Sequence, residues 1–181
     1  MEAAGVPADL TDPAAAVAAA DAIEARFGPI DVLEYSPGGG PALRTPASQL
    51  DVPTVSPLLG NAVLTPVALV AHLLPGMLER GDGGLLFALG ASAKYPMPHL
   101  AAAGLALASL RNYAHTLHAE LGPRGVYAGA LLIGALIEGT PAHRNATAWA
   151  EGQQLPVVKA EDLAGHFWGL YTQRDRAEAE A

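Results

Sequence analysis

The longest regular pattern of apolar and polar residues runs from Gly83 to Thr140. It opens with the apolar run LLFALGA, which has the length expected of a strand buried on both faces. A helical pattern follows over residues 100–121, where apolar residues recur at steps of three and four. The turn GPRG ends this helix, and a second apolar run covers residues 126–133. This order predicts a βαβ unit, whose parallel strands leave a ligand crevice at their carboxyl ends.

The pattern before this unit predicts one helix and one strand. The helix covers residues 13–27; Thr11 or Asp12 caps it, and a Gly-Pro pair ends it. A strand is predicted over residues 30–35, and residues 8–10 are expected to form the end of another short strand.

The remaining segments carry weaker patterns. Residues 42–54 have no firm period and are predicted to be a loop. A helical period covers residues 58–80, where prolines are expected to bend the helix. A last helix is predicted over residues 161–174, and the tail DRAEAEA is expected to be frayed.

The composition is that of an α/β protein with one domain spanning residues 1–181. Of its 181 residues, 51% are hydrophobic and 15% are charged, which excludes a disordered chain. The absence of cysteine excludes disulfides and thiolate chemistry. A formal net charge of −8 argues against a nucleic-acid or anionic membrane surface as a partner.

Targeting signals are not evident either. The most apolar stretch, residues 62–78, is interrupted by polar residues and prolines and is shorter than the ~20 apolar residues of a spanning helix. The first ten residues lack the basic and apolar regions of a signal peptide. A cytoplasmic location is therefore expected.

The order of the motifs resembles the short-chain dehydrogenase/reductase family. The similarity rests on FGPIDVL, GGLLFALGAS, HAELGPRGVYAGA and a late LIEGT at the family's spacing. It implies a Rossmann-like three-layer α/β fold with a parallel sheet, an NAD or NADP cofactor, and hydride transfer between a carbonyl and an alcohol. It also implies a homo-oligomer that pairs through helices 58–80 and 100–121.

The sequence departs from the family in its nucleotide-binding part. Family members begin with a strand, a glycine-rich turn and a helix whose N-terminus holds the diphosphate. The resemblance implies that this chain enters the fold at the third strand and lacks that first βαβ part. Residues 30–35 would then form an exposed apolar sheet edge, which favours association.

The family's catalytic pair is also replaced. A tyrosine and a lysine four residues later lie on one helical face in the family, where the ammonium lowers the pKa of the phenol. Counting back from HAELGPRG puts these roles at Ala103 and Leu107, and neither side chain can transfer a proton. The family's structural asparagine falls at Ala62, with Asn61 one position away.

Five positions match cofactor contacts by resemblance alone. Asp9 and Leu10 correspond to the pair beside the adenine, and Gly38 to the glycine after the fourth strand. Gly134 follows the last core strand, and Thr140 corresponds to the threonine that contacts the carboxamide.

Two hydroxyls remain as candidate catalytic groups. The family's serine falls at Gly90 or Ala91, so Ser92 is the nearest hydroxyl in the loop after a central strand. Tyr95, beside Lys94, could supply a proton from the same loop. The alternatives are a loop serine that satisfies its own backbone and a solvent-exposed Lys-Tyr pair.

No metal site is predicted. His115 and His118 are three residues apart on a helix, but no carboxylate or third histidine stands at a ligand spacing.

Two functions stay open at this point. One is an NAD(P)-dependent oxidoreductase of unknown substrate, using Ser92 with a bound water, or Tyr95, as its acid. The other is a non-catalytic binding or scaffold protein, a pseudoenzyme of the same fold.

Overall fold

The centre of the protein is a sheet of four parallel strands. The structure is a computed structural model and describes residues 2–36, 45–145 and 155–181. In chain order its elements are α1 (Pro13–Phe27), β1 (Val32–Tyr35), a 3₁₀ turn (Ala47–Gln49), α2 (Val52–Leu59), a π-helical turn (Gly60–Leu64), α3 (Thr65–Arg80), β2 (Gly83–Gly90), 3₁₀ turns (Ala91–Ala93 and Pro98–Leu100), α4 (Ala101–Leu121), a 3₁₀ turn (Gly122–Arg124), β3 (Val126–Ile133), β4 (Leu136–Ile137), α5 (Pro141–Arg144), β5 (Val157–Val158), α6 (Ala160–Gln173) and β6 (Glu178–Glu180). The sheet has the order β1–β2–β3–β6.

Helices cover both faces of this sheet. Side chains alternate along β2, so Phe87 joins the core beneath α1, α3 and α4, while its neighbour Leu86 joins the core beneath α6. On β3, Leu132 likewise joins the core beneath α1, α3 and α4, and Leu131 joins the core beneath α6. This three-layer arrangement confirms the predicted Rossmann-like fold with a parallel sheet.

The predicted βαβ unit is the best-paired part of the sheet. β2 and β3 align over eight residues each, from Gly83 opposite Val126 to Gly90 opposite Ile133. α4 connects them and buries Ala106, Leu110 and other small or apolar residues against the sheet. Both strands end together, so the loops that follow them meet at one edge.

The predicted bent helix extends further towards the N-terminus than expected. Residues 42–54 were predicted as a loop; this is wrong for residues 52–54, because α2 begins at Val52, whereas residues 45–51 are irregular apart from one 3₁₀ turn. The Asp51 carboxylate accepts a hydrogen bond from Thr54 N at 2.9 Å and caps this helix. The π-helical turn then joins α2 to α3, and Pro66 is accommodated in the first turn of α3.

The run Val52–Arg80 is apolar and 29 residues long, with a mean hydropathy of 1.7 in its most apolar window. By length and composition it could cross a membrane, although 39% of that window is buried inside the protein. Its inner residues Leu69, Leu73 and Met77 belong to the core beneath the sheet. Core packing therefore accounts for the apolar residues on its inner side.

The strand predicted at residues 8–10 is wrong. Asp9 instead accepts hydrogen bonds from the backbone N (2.8 Å) and the hydroxyl (2.7 Å) of Thr11, which turns the chain into α1. The Leu10 carbonyl accepts a hydrogen bond from the Thr65 hydroxyl at 2.8 Å. The Asp9–Thr11 turn and the bond from Thr65 occupy backbone groups that a strand would pair with a neighbouring strand.

The tail is not frayed, because its last residues form β6. Ala130 N donates to the Ala177 carbonyl at 2.9 Å, and Ala181 N donates to the Leu132 carbonyl at 2.8 Å. β6 is parallel to β3 and is the outer strand on that side of the sheet. The short parallel pair β4–β5, beside the end of β3, was not predicted either.

We expect Gly125→Ala to destabilise the protein by about 2 kcal/mol or more. Gly125 has a φ of +84°, and an added Cβ would lie 2.1 Å from the Gly81 carbonyl oxygen, so the turns before β2 and β3 would have to separate. Urea unfolding measures the loss. Gly122→Ala is the control, since Gly122 has helical angles and open space around its Cα. Equal stability of the two variants would contradict this account.

Candidate active site

A crevice of about 1130 Å³ opens at the carboxyl ends of β1, β2 and β3. Its walls come from the strand ends, from α4 and from α6, and it lies where the βαβ unit predicts a ligand site. A second hollow of about 720 Å³ lies between α6 and the C-terminal residues, but no sequence-predicted site residue lines it. The crevice is therefore the candidate active site.

Apolar side chains line the crevice where α4 meets the end of β2. Ala103 and Leu107 both lie on this wall beside Gly90. Ala103 is buried and Leu107 is half-buried against the core. The two positions matched to the family's tyrosine and lysine thus face the site, and they carry hydrocarbon there.

Ser92 is close to this wall but is not among the residues that line the crevice. Its side chain is buried in the 3₁₀ turn after β2. The turn sits close to α4 because Gly104 has no side chain; a Cβ there would lie 3.1 Å from the Ser92 carbonyl oxygen. A catalytic role for Ser92 stays a prediction; its Oγ lies 3.9 Å from the position that a Cβ on the lining residue Gly90 would take.

Tyr95 and Lys94 point to the C-terminal strand instead of the crevice. The Tyr95 hydroxyl lies 3.1 Å from both carboxylate oxygens of Glu180, and Lys94 Nζ contacts the same carboxylate. Lys94 Nζ also lies 3.1 Å from Glu178. As the structure places them, these two residues hold the loop after β2 against β6.

Glu178 is the centre of this ionic network. Its side chain is only 11% exposed and contacts Arg111 and His115 of α4, with Arg111 Nη2 at 3.1 Å and His115 Nε2 at 3.0 Å. Burial by itself raises the pKa of Glu178, but the hydrogen bonds from Arg111, His115 and Lys94 outweigh it and lower the pKa to about 2. His115, considered as a metal ligand in the sequence, is thus a hydrogen-bond partner of Glu178.

The cofactor positions matched by resemblance do not come together at the crevice. Thr140 lines it, but its hydroxyl donates to the Ile137 carbonyl at 2.7 Å and accepts from His143 N at 3.3 Å. Gly134 is outside the lining and donates its N–H to the Ala181 carbonyl at 2.8 Å. Asp9 and Leu10 lie in the turn before α1, and Gly38 is outside the described residues.

The described lining fits the diphosphate of a dinucleotide poorly. It contains no lysine or arginine, whereas a diphosphate requires basic side chains or the N–H groups of a helix N-terminus. The α6 helix begins at the lining residue Ala160, but its first turn carries Glu161 and Asp162, which repel a diphosphate. The N-terminus of α1 is capped by its own Asp12 carboxylate. We therefore assign no step of a reaction to a bound nicotinamide cofactor.

One polar contact next to the crevice, between the core residue Tyr35 and the lining residue Asn61, was missed in the sequence. The Tyr35 hydroxyl, at the end of β1, donates to the Asn61 carbonyl at 2.5 Å and approaches the Asn61 side-chain oxygen at 3.0 Å. Burial raises the pKa of Tyr35 to about 12, so the phenol stays neutral as a hydrogen-bond donor. Asn61 sits in the π-helical turn, an irregularity that often occurs at functional sites.

A carboxylate and an aromatic wall were also missed. Glu34 of β1 lines the crevice together with Phe167, Trp168 and Tyr171 of α6. The one signal in the sequence was the charge of Glu34 within the apolar strand IDVLEY.

A group of three potential metal ligands lies on the helices away from the crevice. His72 Nε2 of α3 is 3.0 Å from Asp21 Oδ1 and 3.7 Å from Glu24 Oε2 of α1. The Glu24 carboxylate also accepts a hydrogen bond from Ile30 N at 3.2 Å. None of the three lines the crevice, and their contacts connect the two helices.

The parallel sheet, the helices on both faces and the crevice at the strand ends define a Rossmann-type α/β protein. Within this class, the family model of the short chain dehydrogenases matches residues 1–151. The chain therefore belongs to the short-chain dehydrogenase family. No curated protein matches it significantly.

Solved structures of this family have the same fold. An NADPH-bound short-chain oxidoreductase from Pseudomonas aeruginosa, described as containing an atypical catalytic center, is 22% identical with a TM-score of 0.81, over 96% of this chain and 72% of that one. A short-chain dehydrogenase from Streptomyces avermitilis is 22% identical with a TM-score of 0.78, and the match covers 97% of this chain and 68% of that one. L-sorbose reductase from Gluconobacter frateurii, complexed with NADPH and L-sorbose, is 20% identical with a TM-score of 0.79. That match covers 97% of this chain and 73% of the reductase.

We expect the ionic network to make stability depend on pH. Because the pKa of Glu178 is lower in the folded protein than in the unfolded chain, the ionised carboxylate favours folding above about pH 4.5. This contribution is lost as the pH falls towards 2. Glu178→Gln should therefore cost on the order of 2 kcal/mol at pH 7, and progressively less below about pH 4.5.

Urea unfolding of both proteins from pH 7 to pH 3 measures this difference. Glu180→Gln is the matched control, because the Glu180 side chain is 47% exposed and its loss should matter much less. A difference between wild type and Glu178→Gln that stays constant with pH would contradict a role of the carboxylate charge.

Proposed function

We propose that this chain is a ligand-binding member of the short-chain dehydrogenase family, a pseudoenzyme whose crevice binds a small apolar molecule without transferring hydride. The observation that carries the proposal is the hydrocarbon wall formed by Ala103 and Leu107. In the family these positions supply the proton donor and the cation that activates it. Methyl and isobutyl groups have no proton to exchange.

The chemistry of the crevice supports an apolar ligand. Leucine and isoleucine side chains from several elements face it, among them Leu58, Leu89, Ile133 and Ile137. Each Å² of apolar ligand surface that is removed from water there contributes about 25 cal/mol to the free energy of binding. The two candidate acids, Ser92 and Tyr95, lie outside this lining.

An NAD(P)-dependent oxidoreductase is the second candidate. Thr140 lies in the crevice, where the resemblance expects a contact with the carboxamide, and the Pseudomonas aeruginosa oxidoreductase combines bound NADPH with an atypical catalytic center. On this hypothesis NAD or NADP would bind with its nicotinamide end in the crevice. Ser92 with a bound water, or Tyr95, would then act as the acid.

We further propose that the protein is a cytoplasmic homo-oligomer that pairs through helices 58–80 and 100–121. Apolar side chains are exposed on both helical segments: Leu64 is 58% exposed, Val67 39% and Leu105 47%. Burying such residues against a second copy would remove them from water.

The ligand proposal predicts saturable binding of a neutral apolar probe such as Nile red, followed by its fluorescence. Ala142→Trp should weaken this binding about tenfold or more, because Ala142 is an exposed residue of the crevice wall and the larger side chain would occupy the site. Ala18→Trp is the control, since Ala18 is exposed on α1. Equal binding by both variants would place the probe elsewhere and contradict the proposal.

The choice between the two functions depends on cofactor binding and turnover. We expect titration with NADH or NADPH to give no saturable change in nicotinamide fluorescence at millimolar cofactor. Saturable binding together with oxidation of the cofactor by a carbonyl substrate would establish the second candidate. In that case Ser92→Ala and Tyr95→Phe would show which hydroxyl is the acid.

The oligomer proposal predicts that Leu105→Glu lowers the molecular mass seen by sedimentation velocity, because a carboxylate would have to be buried at the interface. Val6→Glu, at a residue that is 38% exposed outside both helices, should leave the mass unchanged. A wild-type protein that sediments as a monomer at all concentrations would contradict the proposal.

A further inference from the structure

We infer that the ligand of the crevice is an apolar amine, held by its cationic nitrogen between the Glu34 carboxylate and the aromatic wall of α6. The inference rests on the proposed function, because it names the chemical class of ligand for the same crevice. It follows from three features of the described residues: the face of the sheet on which Glu34 lies, the absence of a basic partner for Glu34 among them, and the aromatic rings that line the same crevice.

Glu34 lies on the α6 face of the sheet. Side chains alternate along β1, so Glu34 shares a face with Val32, while Tyr35 projects into the core on the opposite face. In the sheet register Glu34 is opposite Leu86. Val32 and Leu86 both belong to the cluster that packs against α6, which puts the carboxylate on the side of the sheet that α6 covers.

No basic group of the described chain neutralises this carboxylate. Glu34 has no ion pair among residues 2–36, 45–145 and 155–181, and its hydrogen bond comes from the Ser36 hydroxyl. It is also the only charged residue in the described lining. The crevice therefore carries one negative charge beside apolar surface, an arrangement that favours a cation over a phosphate or a carboxylate.

Aromatic rings supply the second half of the site. Phe167, Trp168 and Tyr171 of α6 line the crevice, and the rings of Trp168 and Tyr171 lie 6.2 Å apart at 51° to each other. Arg174 already lies over the Tyr171 ring, with Cζ 4.9 Å from its centroid. Trp168 is 67% exposed, so its ring is accessible to a bound cation.

A carboxylate and an accessible indole in one apolar crevice match the chemistry of an amine with an aromatic or aliphatic body. The carboxylate pairs with the ammonium, the ring adds a cation–π contact, and the apolar walls take the body. A neutral ligand of the same shape would use the walls only. The net charge of −8 also raises the local concentration of cations around the protein.

The test compares 4-phenylbutylamine with its neutral isostere 4-phenylbutan-1-ol by isothermal titration calorimetry. Wild-type protein should bind the amine about tenfold more tightly or better. Glu34→Gln should lose most of this preference and keep only the part that the cation–π contact with Trp168 supplies. Glu79→Gln removes the same charge from an exposed position on α3 and should keep the preference, which separates the local contact from the overall field.

Two further measurements do not depend on the folding of the Glu34 variant. In wild-type protein, added salt should weaken amine binding and leave alcohol binding unchanged. Trp168→Leu keeps an apolar side chain but removes the ring, so it should lower the affinity for the amine more than that for the alcohol.

The outcomes distinguish this inference from the proposed function. Equal affinity of wild type for the two probes, or a preference for the amine that is undiminished in Glu34→Gln, would overturn the amine inference and leave an apolar binding crevice. Binding of neither probe, together with no saturable binding of Nile red, would overturn the proposed function itself.

Discussion

The structure depends on the close approach of two turns at the amino ends of β2 and β3. Gly125 and Gly81 nearly touch there, and this contact sets the point from which the two strands run side by side for eight residues. Since the strands start together and have the same length, they also end together. The loop after β2, the N-terminal half of α4 and the end of β3 are thereby brought to one edge. The crevice exists because of that alignment.

The same alignment explains why the site is apolar. α4 must lie flat on the sheet between the two strands, and its small residues allow it to do so: Ala102, Ala106 and Ala114 are almost completely buried. Ala103 and Leu107 lie on the part of this helix that reaches the crevice. The helix that would carry proton-transfer groups in the family here continues its packing surface into the site.

The sequence was sufficient for elements whose signal is local. The helix α1 has a capping aspartate and a terminal glycine, and the strands β2 and β3 are continuous apolar runs, so their positions followed from short-range chemistry. β6 could not be found in this way. Its residues Glu178–Glu180 have little strand propensity, and what holds them is pairing with β3 and the contact of Glu178 with Arg111, almost seventy residues earlier.

The candidate site was predictable only in part, for a related reason. The presence of Ala103 and Leu107 at the positions that the resemblance matches to the catalytic pair was inferred from the sequence, because it follows from counting along one helix. Glu34 and Trp168 come from elements more than a hundred residues apart, and only the packing of α6 on the sheet brings them to one crevice. The side-chain directions of Ser92 and Tyr95 depend likewise on α4 and β6.

Glu34 has a further consequence for the behaviour of the protein at high concentration. In the described part of the chain β1 is an outer strand, four residues long, and its outer backbone groups could template a strand from another molecule. A charged side chain in the middle of such a strand makes stacking of copies unfavourable, because like carboxylates would be brought together away from water. The residue that gives the crevice its charge is therefore also expected to oppose edge-to-edge stacking of copies, and variants that neutralise it should have lower colloidal stability.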